Sequence, residues 1–175
     1  FQSLRNLIHQ LHSMNRVTAA ARADNAEICL FLRPDLMYHD SLAPAIRRAQ
    51  RALHAKAPLI QMPWWQTWNG RNDRFAIAAG DAAIAAYGSR ATQLAAFCVE
   101  TGGPVHSERL LAYALKRADI PVQTIGARAS RVRMNGRTQY EDFLPTRLSA
   151  LRRGLRGRFL RLMGAIRILQ DPDLS

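Results

Sequence analysis

At 175 residues, 48% hydrophobic and 22% charged, the chain has the size and composition of one globular domain with its own core, and no apolar run reaches the roughly 18 residues of a membrane span. A formal charge of +12 points to an anionic partner: nucleic acid, a lipid surface or a phosphorylated small molecule. Cys29 and Cys98 lack both the spacing of a zinc site and the density of a disulfide scaffold, which points to a reducing compartment, the cytoplasm.

The chain opens without an initiator methionine, directly on "FQSLRNLIHQLHSMNRV", where Leu4, Leu7, Ile8, Leu11 and Met14 have helical spacing and predict an amphipathic helix over the first twenty or so residues. "EICLFLR" reads as a buried strand that Pro34 ends, so "RPDLMYHDSLAP" becomes a loop into a helix from about Pro44 to His54. "APLIQM" is the next strand. After a tryptophan-rich loop, "RFAIAAG" is a short strand, followed by a helix that Asp81 can cap and that runs to about Ala96. "TGGPVHSERLLAYALKRADI" starts with turn residues and continues as a helix to about Ala118, "PVQTIG" is a strand, and Asn135-Gly136 marks a turn. Strands alternating with helices predict an α/β sheet covered by helices, with a ligand crevice beyond the carboxyl ends of the strands.

From Arg147 the pattern changes. Leu148, Leu151, Leu155, Phe159, Leu162, Ile166 and Leu169 form one apolar stripe, and the seven arginines up to Arg167 are joined by no acid. This divides the chain into an α/β domain over 1–146 and a basic amphipathic helical tail over 147–175. The tail suits either packing over the sheet or peripheral contact with an anionic membrane surface, with a slight lean to the membrane. Nucleic acid is disfavoured, because the arginines outside the tail are dispersed and no recognition motif is present.

Two polar clusters fall in loops. In "LRPDL", a carboxylate just past a strand end, beside a fixed-φ proline and an arginine, suits a divalent cation or a diphosphate, since hard cations take oxygen ligands and guanidinium pairs with phosphate. Asp35 capping a turn and pairing with Arg33 fits these residues equally well. In "MPWWQTWNGRNDRFAIAAGDA", Trp64, Trp65 and Trp68 offer flat stacking surfaces, Gly70 permits close backbone approach, and Asn72, Asp73 and Arg74 supply an acceptor, a base and a cation. Packing of a lid is the structural alternative. Glu108 lies with His106 at the start of a helix, where the dipole favours a carboxylate whatever else it does. The remaining histidines are scattered, and no serine-hydrolase elbow, phosphate-binding glycine loop or dinucleotide fingerprint is present.

"ICLFLRPDLMYHDSL", "PWWQTWNGRNDRFAIAAGDAAIAAY" and "HSERLLAYALKRADIPVQTI", in this order, resemble the C-terminal half of bacterial capsular-polysaccharide or lipopolysaccharide-type glycosyltransferase-like proteins. The resemblance covers roughly Phe1 to Arg133. It implies a GT-A-like, Rossmann-like mixed sheet with flanking helices, from which the N-terminal nucleotide-binding part is missing. It implies transfer of a sugar from a nucleotide-diphospho-sugar to a polysaccharide or lipid-linked acceptor. Arg33 and Asp35 would then serve the donor diphosphate, with Asp35 as a ligand to Mg²⁺ or Mn²⁺. Trp65, Trp68, Asn72 and Arg74 would line the acceptor side, and Asp73 with Glu108 would be the catalytic candidates. One carboxylate stands where the metal-binding DxD of related enzymes has two, so arginine would take over part of the cation's role. The competing reading is a non-catalytic α/β module that docks its arginine-rich tail on an anionic membrane or nucleic acid.

Overall fold

The computed structural model describes residues 2–141 and Phe143. The basic tail and the boundary before it lie outside the described residues.

The two central strands are built from small and branched apolar residues. β3 (Leu59–Pro63) and β4 (Ala76–Ala79) are buried at every position, and they are flanked by the edge strands β1 (Ile28–Phe31) and β5 (Val122–Ile125) in the order β1-β4-β3-β5. β4 runs antiparallel to both β1 and β3, while β3 and β5 are parallel. A separate antiparallel pair joins β2 (Leu36–Tyr38) to β6 (Ala129–Arg131). The chain is therefore mixed α/β, with a mixed sheet and flanking helices.

Alternation along the central strands separates two cores. Ile77, Ala79 and Leu59 pack toward α2 (Ala43–His54) through Ala45 and Ala49, together with Trp65, Phe75 and Ile125. Ala76, Ala78, Ile60 and Met62 face the other way, onto α3 (Asp81–Gly88) and α5 (Ser107–Arg117) through Ile84, Tyr87, Leu111 and Leu115. The period-2 geometry of a strand produces this division, and each fully buried large apolar side chain contributes about 1.5–3 kcal/mol. A third cluster joins α1 (Gln2–Ala23) to α4 (Leu94–Thr101) and α5, through Leu7, Leu11, Phe97 and Leu110. Among the described residues no helix is long and apolar enough to cross a membrane.

Three local expectations are corrected. "RPDLMYHDSLAP" is not all loop, because Leu36–Tyr38 pairs with Ala129–Arg131. The helix after "RFAIAAG" does not run unbroken to Ala96. It stops at Gly88, where a Cβ would lie 1.9 Å from Thr18 Oγ1 of the crossing α1, and a 3-10 turn over Arg90–Gln93 leads into α4. Asp81 does not cap α3. Gly80 holds the N-cap position at φ 84, and the Asp81 carboxylate instead takes two hydrogen bonds from Arg22, at 2.5 and 2.8 Å. The Asn135-Gly136 turn is present, with Gly136 at φ 74 and the chain returning through a Val132 to Thr138 bridge.

Candidate functional site

The antiparallel register of β1 and β4 sets Phe31 opposite Ala76. The chain leaving β1 and the chain entering β4 therefore meet at one end of the sheet. That end is also where β3 and β5 finish, since Pro63 pairs with Ile125. Arg33, Pro34 and Asp35 follow β1, and Asp73 and Arg74 precede β4. All five line one cavity of about 570 Å³, together with Asn6, Gln10, Ser13 and Met14 of α1 and with Tyr87. Asp35 was expected just past a strand end, and that is where it lies, after β1. β1 is an edge strand, and it is the antiparallel pairing that carries Asp35 to the same crevice as Asp73.

The two carboxylates are held differently. Asp35 accepts a two-pronged pair of hydrogen bonds from Arg33, from Nε to Oδ1 at 2.9 Å and from Nη2 to Oδ2 at 2.8 Å, and Arg131 Nε lies 3.8 Å from that same Oδ2. The Arg33 hydrogen bonds hold the Asp35 carboxyl below the usual carboxylate range, against a smaller opposing effect of burial. Asp73 is nearly buried. Its Oδ2 accepts a hydrogen bond from the Ser107 hydroxyl and a long one from Gln10 Nε2 at 3.5 Å, and Arg90 Nη2 stands 3.9 Å away. Ser107 opens α5, so this carboxylate also meets the positive end of a helix dipole.

Arg90 is the cation behind Asp73. Its guanidinium is fully buried, lies over the Tyr87 ring at 4.9 Å and donates through Nη1 to the Tyr87 carbonyl at 2.9 Å, while Nε and Nη2 make no hydrogen bond. Burying a guanidinium with two idle nitrogens is costly, and the neighbouring Asp73 charge offsets part of that cost.

The tryptophan loop does other work. Trp65 is fully buried and donates its indole N–H to the Ala127 carbonyl at 3.0 Å. It therefore offers no stacking surface, which corrects its expected place on the acceptor side. Asn72 is likewise buried and turned inward. Its amide donates to the Trp65 carbonyl at 2.5 Å, and its oxygen accepts from the Arg74 backbone N–H at 2.9 Å. That arrangement fixes the turn presenting Asp73 and Arg74, and leaves Asn72 no free polar atom pair for a ligand. Trp68 is 46% exposed but lies outside the cavity lining. Gly70 sits so close to α5 that a Cβ would lie 2.1 Å from the Glu108 carbonyl oxygen, to which the Arg71 N–H donates at 2.9 Å.

Glu108 also lies outside the cavity lining. Burial raises its carboxyl above the ordinary value, and the Asp73 charge adds to the effect. Arg74 reaches the cavity with its guanidinium tied to Gln66 Oε1 at 2.6 Å and Glu141 Oε2 at 3.2 Å. Burial lowers its proton affinity and the Glu141 charge opposes that. Of the sequence candidates, then, the fold brings Arg33, Asp35, Asp73 and Arg74 to the cavity, while Trp65, Trp68, Asn72 and Glu108 do not line it; Trp65 and Asn72 instead support Arg74 from behind, through its guanidinium 5.5 Å over the Trp65 ring and its backbone N–H. Gln10, Ser107, Arg90 and Glu141 carry no motif in the sequence, and only the fold makes them partners of the site. Among the described residues, no three of the His, Cys, Asp and Glu side chains converge as a metal site would require.

Comparison of the chain with protein-family models, with curated proteins and with solved structures finds no match in any of the three.

Proposed function

We propose that this cavity is the site of a glycosyltransferase-like reaction in a GT-A-like domain, in which a nucleotide-diphospho-sugar gives its sugar to a saccharide or lipid-linked acceptor. The observation that carries the reading is the β1–β4 pairing, which sets the Asp73 carboxylate, Arg33 and Arg74 around one cavity of substrate size. Asp73 is the base. Ser107, Gln10 and Arg90 gather on Oδ2, which leaves Oδ1 to take the proton of an acceptor hydroxyl as that oxygen bonds to the anomeric carbon. The bond from the anomeric carbon to the diphosphate breaks, and the departing charge needs a cation.

Arg33 supplies that cation. Its fork holds the planar Asp35 carboxylate in the geometry a phosphate would use, and it meets the diphosphate by exchanging that carboxylate for phosphate oxygens. Asp35, engaged by Arg33 and 3.8 Å from Arg131 Nε, is poorly disposed to bind Mg²⁺ or Mn²⁺, so arginine neutralises the charge of the departing diphosphate. A module that docks on anionic surfaces through its tail would not need this pairing of base and guanidinium.

The test is release of nucleoside diphosphate from a panel of nucleotide sugars, with saccharide and lipid-linked acceptors, with and without Mg²⁺ or Mn²⁺. With the donor that turns over, Asp73→Asn is expected to lower kcat by about 10²-fold or more. Arg33→Ala should raise KM for the donor while sparing that of the acceptor. A rate within about threefold of wild type for Asp73→Asn overturns the assignment of the base.

A further inference from the structure

The four-stranded sheet has two outer edges, and they are finished differently. β5 is preceded by Pro121 and carries Gln123 and Thr124, residues that blunt an edge. β1 has no such residue. Ile28 to Leu32 is an unbroken apolar run, and Leu30 and Leu32 are 40% and 47% exposed. The Gly80 N–H donates to the Glu27 carbonyl at 2.8 Å, which fixes the phase of the β1–β4 ladder. Glu27, Cys29 and Phe31 turn their backbone groups toward β4, so those of Ile28 and Leu30 turn outward, with Leu32 next in the same phase. Among the described residues no strand lies against them. The side chains of these three share the α2 face, since Leu30 is opposite Ile77 of that core. An apolar edge with outward N–H and C=O groups is a template for another strand.

We propose that β1 pairs with β1 of a second copy of this chain, antiparallel and centred on Leu30, so that two sheets become one. The residues themselves select the copy and the register. Centred on Phe31, the pairing would set Glu27 opposite Asp35 of the other copy, two like charges; centred on Cys29, it would set Leu32 opposite Ala26 and Arg33 opposite Asn25. Centred on Leu30, it sets Leu30 opposite itself, Ile28 opposite Leu32 and Glu27 opposite Arg33. Outward backbone groups then meet outward backbone groups, apolar side chains meet apolar ones, and the flanking charges are complementary. Glu27 has no ion pair within its own chain among the described residues. The interface is isologous, so it closes as a dimer.

Sedimentation velocity of the full chain over a dilution series tests this, with circular dichroism and melting curves to show that each variant is folded. Wild type should pass from dimer to monomer on dilution. Leu30→Lys and Leu30→Glu each set like charges against one another across the two-fold axis, and each alone should be monomeric throughout. Because the two positions face each other, an equimolar mixture of these variants should dimerise again. Glu27→Arg should weaken the dimer about tenfold. Gln123→Lys, on the opposite edge, should leave Kd unchanged. A wild-type chain that is monomeric at every concentration overturns the proposal. So does a dimer that survives Leu30→Lys, ignores Glu27→Arg or is broken by Gln123→Lys instead, and so does a mixture of the two Leu30 variants that stays monomeric. None of these readouts involves turnover or a nucleotide sugar, so they are read the same way whatever reaction the cavity performs.

Discussion

The tryptophan loop and the Arg-Pro-Asp turn lie at the same end of the sheet, and their chemistry is the reverse of their composition. The loop is rich in residues that stack and bind, yet Trp65 and Asn72 spend their polar atoms on Ala127, Trp65 and Arg74 inside the protein. The turn looks like an ordinary surface ion pair, yet Arg33 and Asp35 stay in the cavity wall with side chains 31% and 38% exposed. The difference teaches that a side chain's type says little about its role until its hydrogen-bond partners are known. The buried residues of the loop are the support for Asp73 and Arg74, and the turn stays in the cavity wall.

The largest effect should come from removing that support. Trp65→Ala deletes a fully buried indole and leaves the Ala127 carbonyl without its donor, at a cost of about 3–5 kcal/mol. Thermal unfolding should fall by on the order of 10 °C. A fall of only a degree or two would show that the loop is not anchored through this ring, and would erase the contrast with the turn.

Gly70→Ala comes next. Its methyl would meet the Glu108 backbone at 2.1 Å, and backbone cannot rotate away, so the loop must lift from α5. The cost is about 1–3 kcal/mol, and the loss is directional because Ser107 sits on the same first turn of α5. Amide exchange of Arg71, whose N–H is bonded to the Glu108 carbonyl, should speed up more than that of the β4 strand. Uniform acceleration of both would mean that the variant loosens the whole fold rather than the joint between loop and helix.

Much of the fold is legible in the sequence, for reasons that also explain the gaps. Leu4, Leu7, Ile8, Leu11 and Met14 announce α1 because a helix repeats its apolar face locally, and the runs that became β1, β3, β4 and β5 are apolar enough to stand out. β2 and β6 are three-residue strands that find each other across more than ninety positions, from Tyr38 to Ala129, so neither carries a local pattern. The stop at Gly88 comes from Thr18 on another helix. In the site, Arg33, Asp35, Asp73 and Arg74 are legible as polar residues at strand boundaries. Gln10 reads only as one more polar position on an amphipathic helix, and Ser107 reads as a helix-start residue; their bonds to Asp73 exist only once the chain is folded.

The turn, by contrast, should be nearly neutral for stability. Arg33→Ala breaks a half-exposed ion pair that contributes about 1 kcal/mol or less in water, while removing the guanidinium proposed to meet the diphosphate. A melting temperature within a few degrees of wild type, with a raised donor KM, is the expected pair of results. A collapse of stability comparable to that of Trp65→Ala would make the turn a structural element like the loop.

The smallest expected change is the one of opposite sign, and it lies where the loop joins α5. Burial, reinforced by the Asp73 charge, raises the Glu108 carboxyl above its ordinary value of 4.5. The folded chain therefore binds this proton more tightly than the unfolded chain does. The stabilisation is fully present below the unfolded value and is lost as pH rises through the raised folded value; above it, ionised Glu108 is a cost to the fold. Glu108→Gln removes the charge while keeping the shape, so it should raise the melting temperature at pH 7. The gain should shrink as pH is lowered and vanish below 4.5, where both side chains are neutral. Melting curves of the two proteins across that range would show converging lines. Parallel lines, or a variant less stable than wild type at pH 7, would mean that the ionised carboxylate is held by the first turn of α5 rather than opposed by its burial and by Asp73.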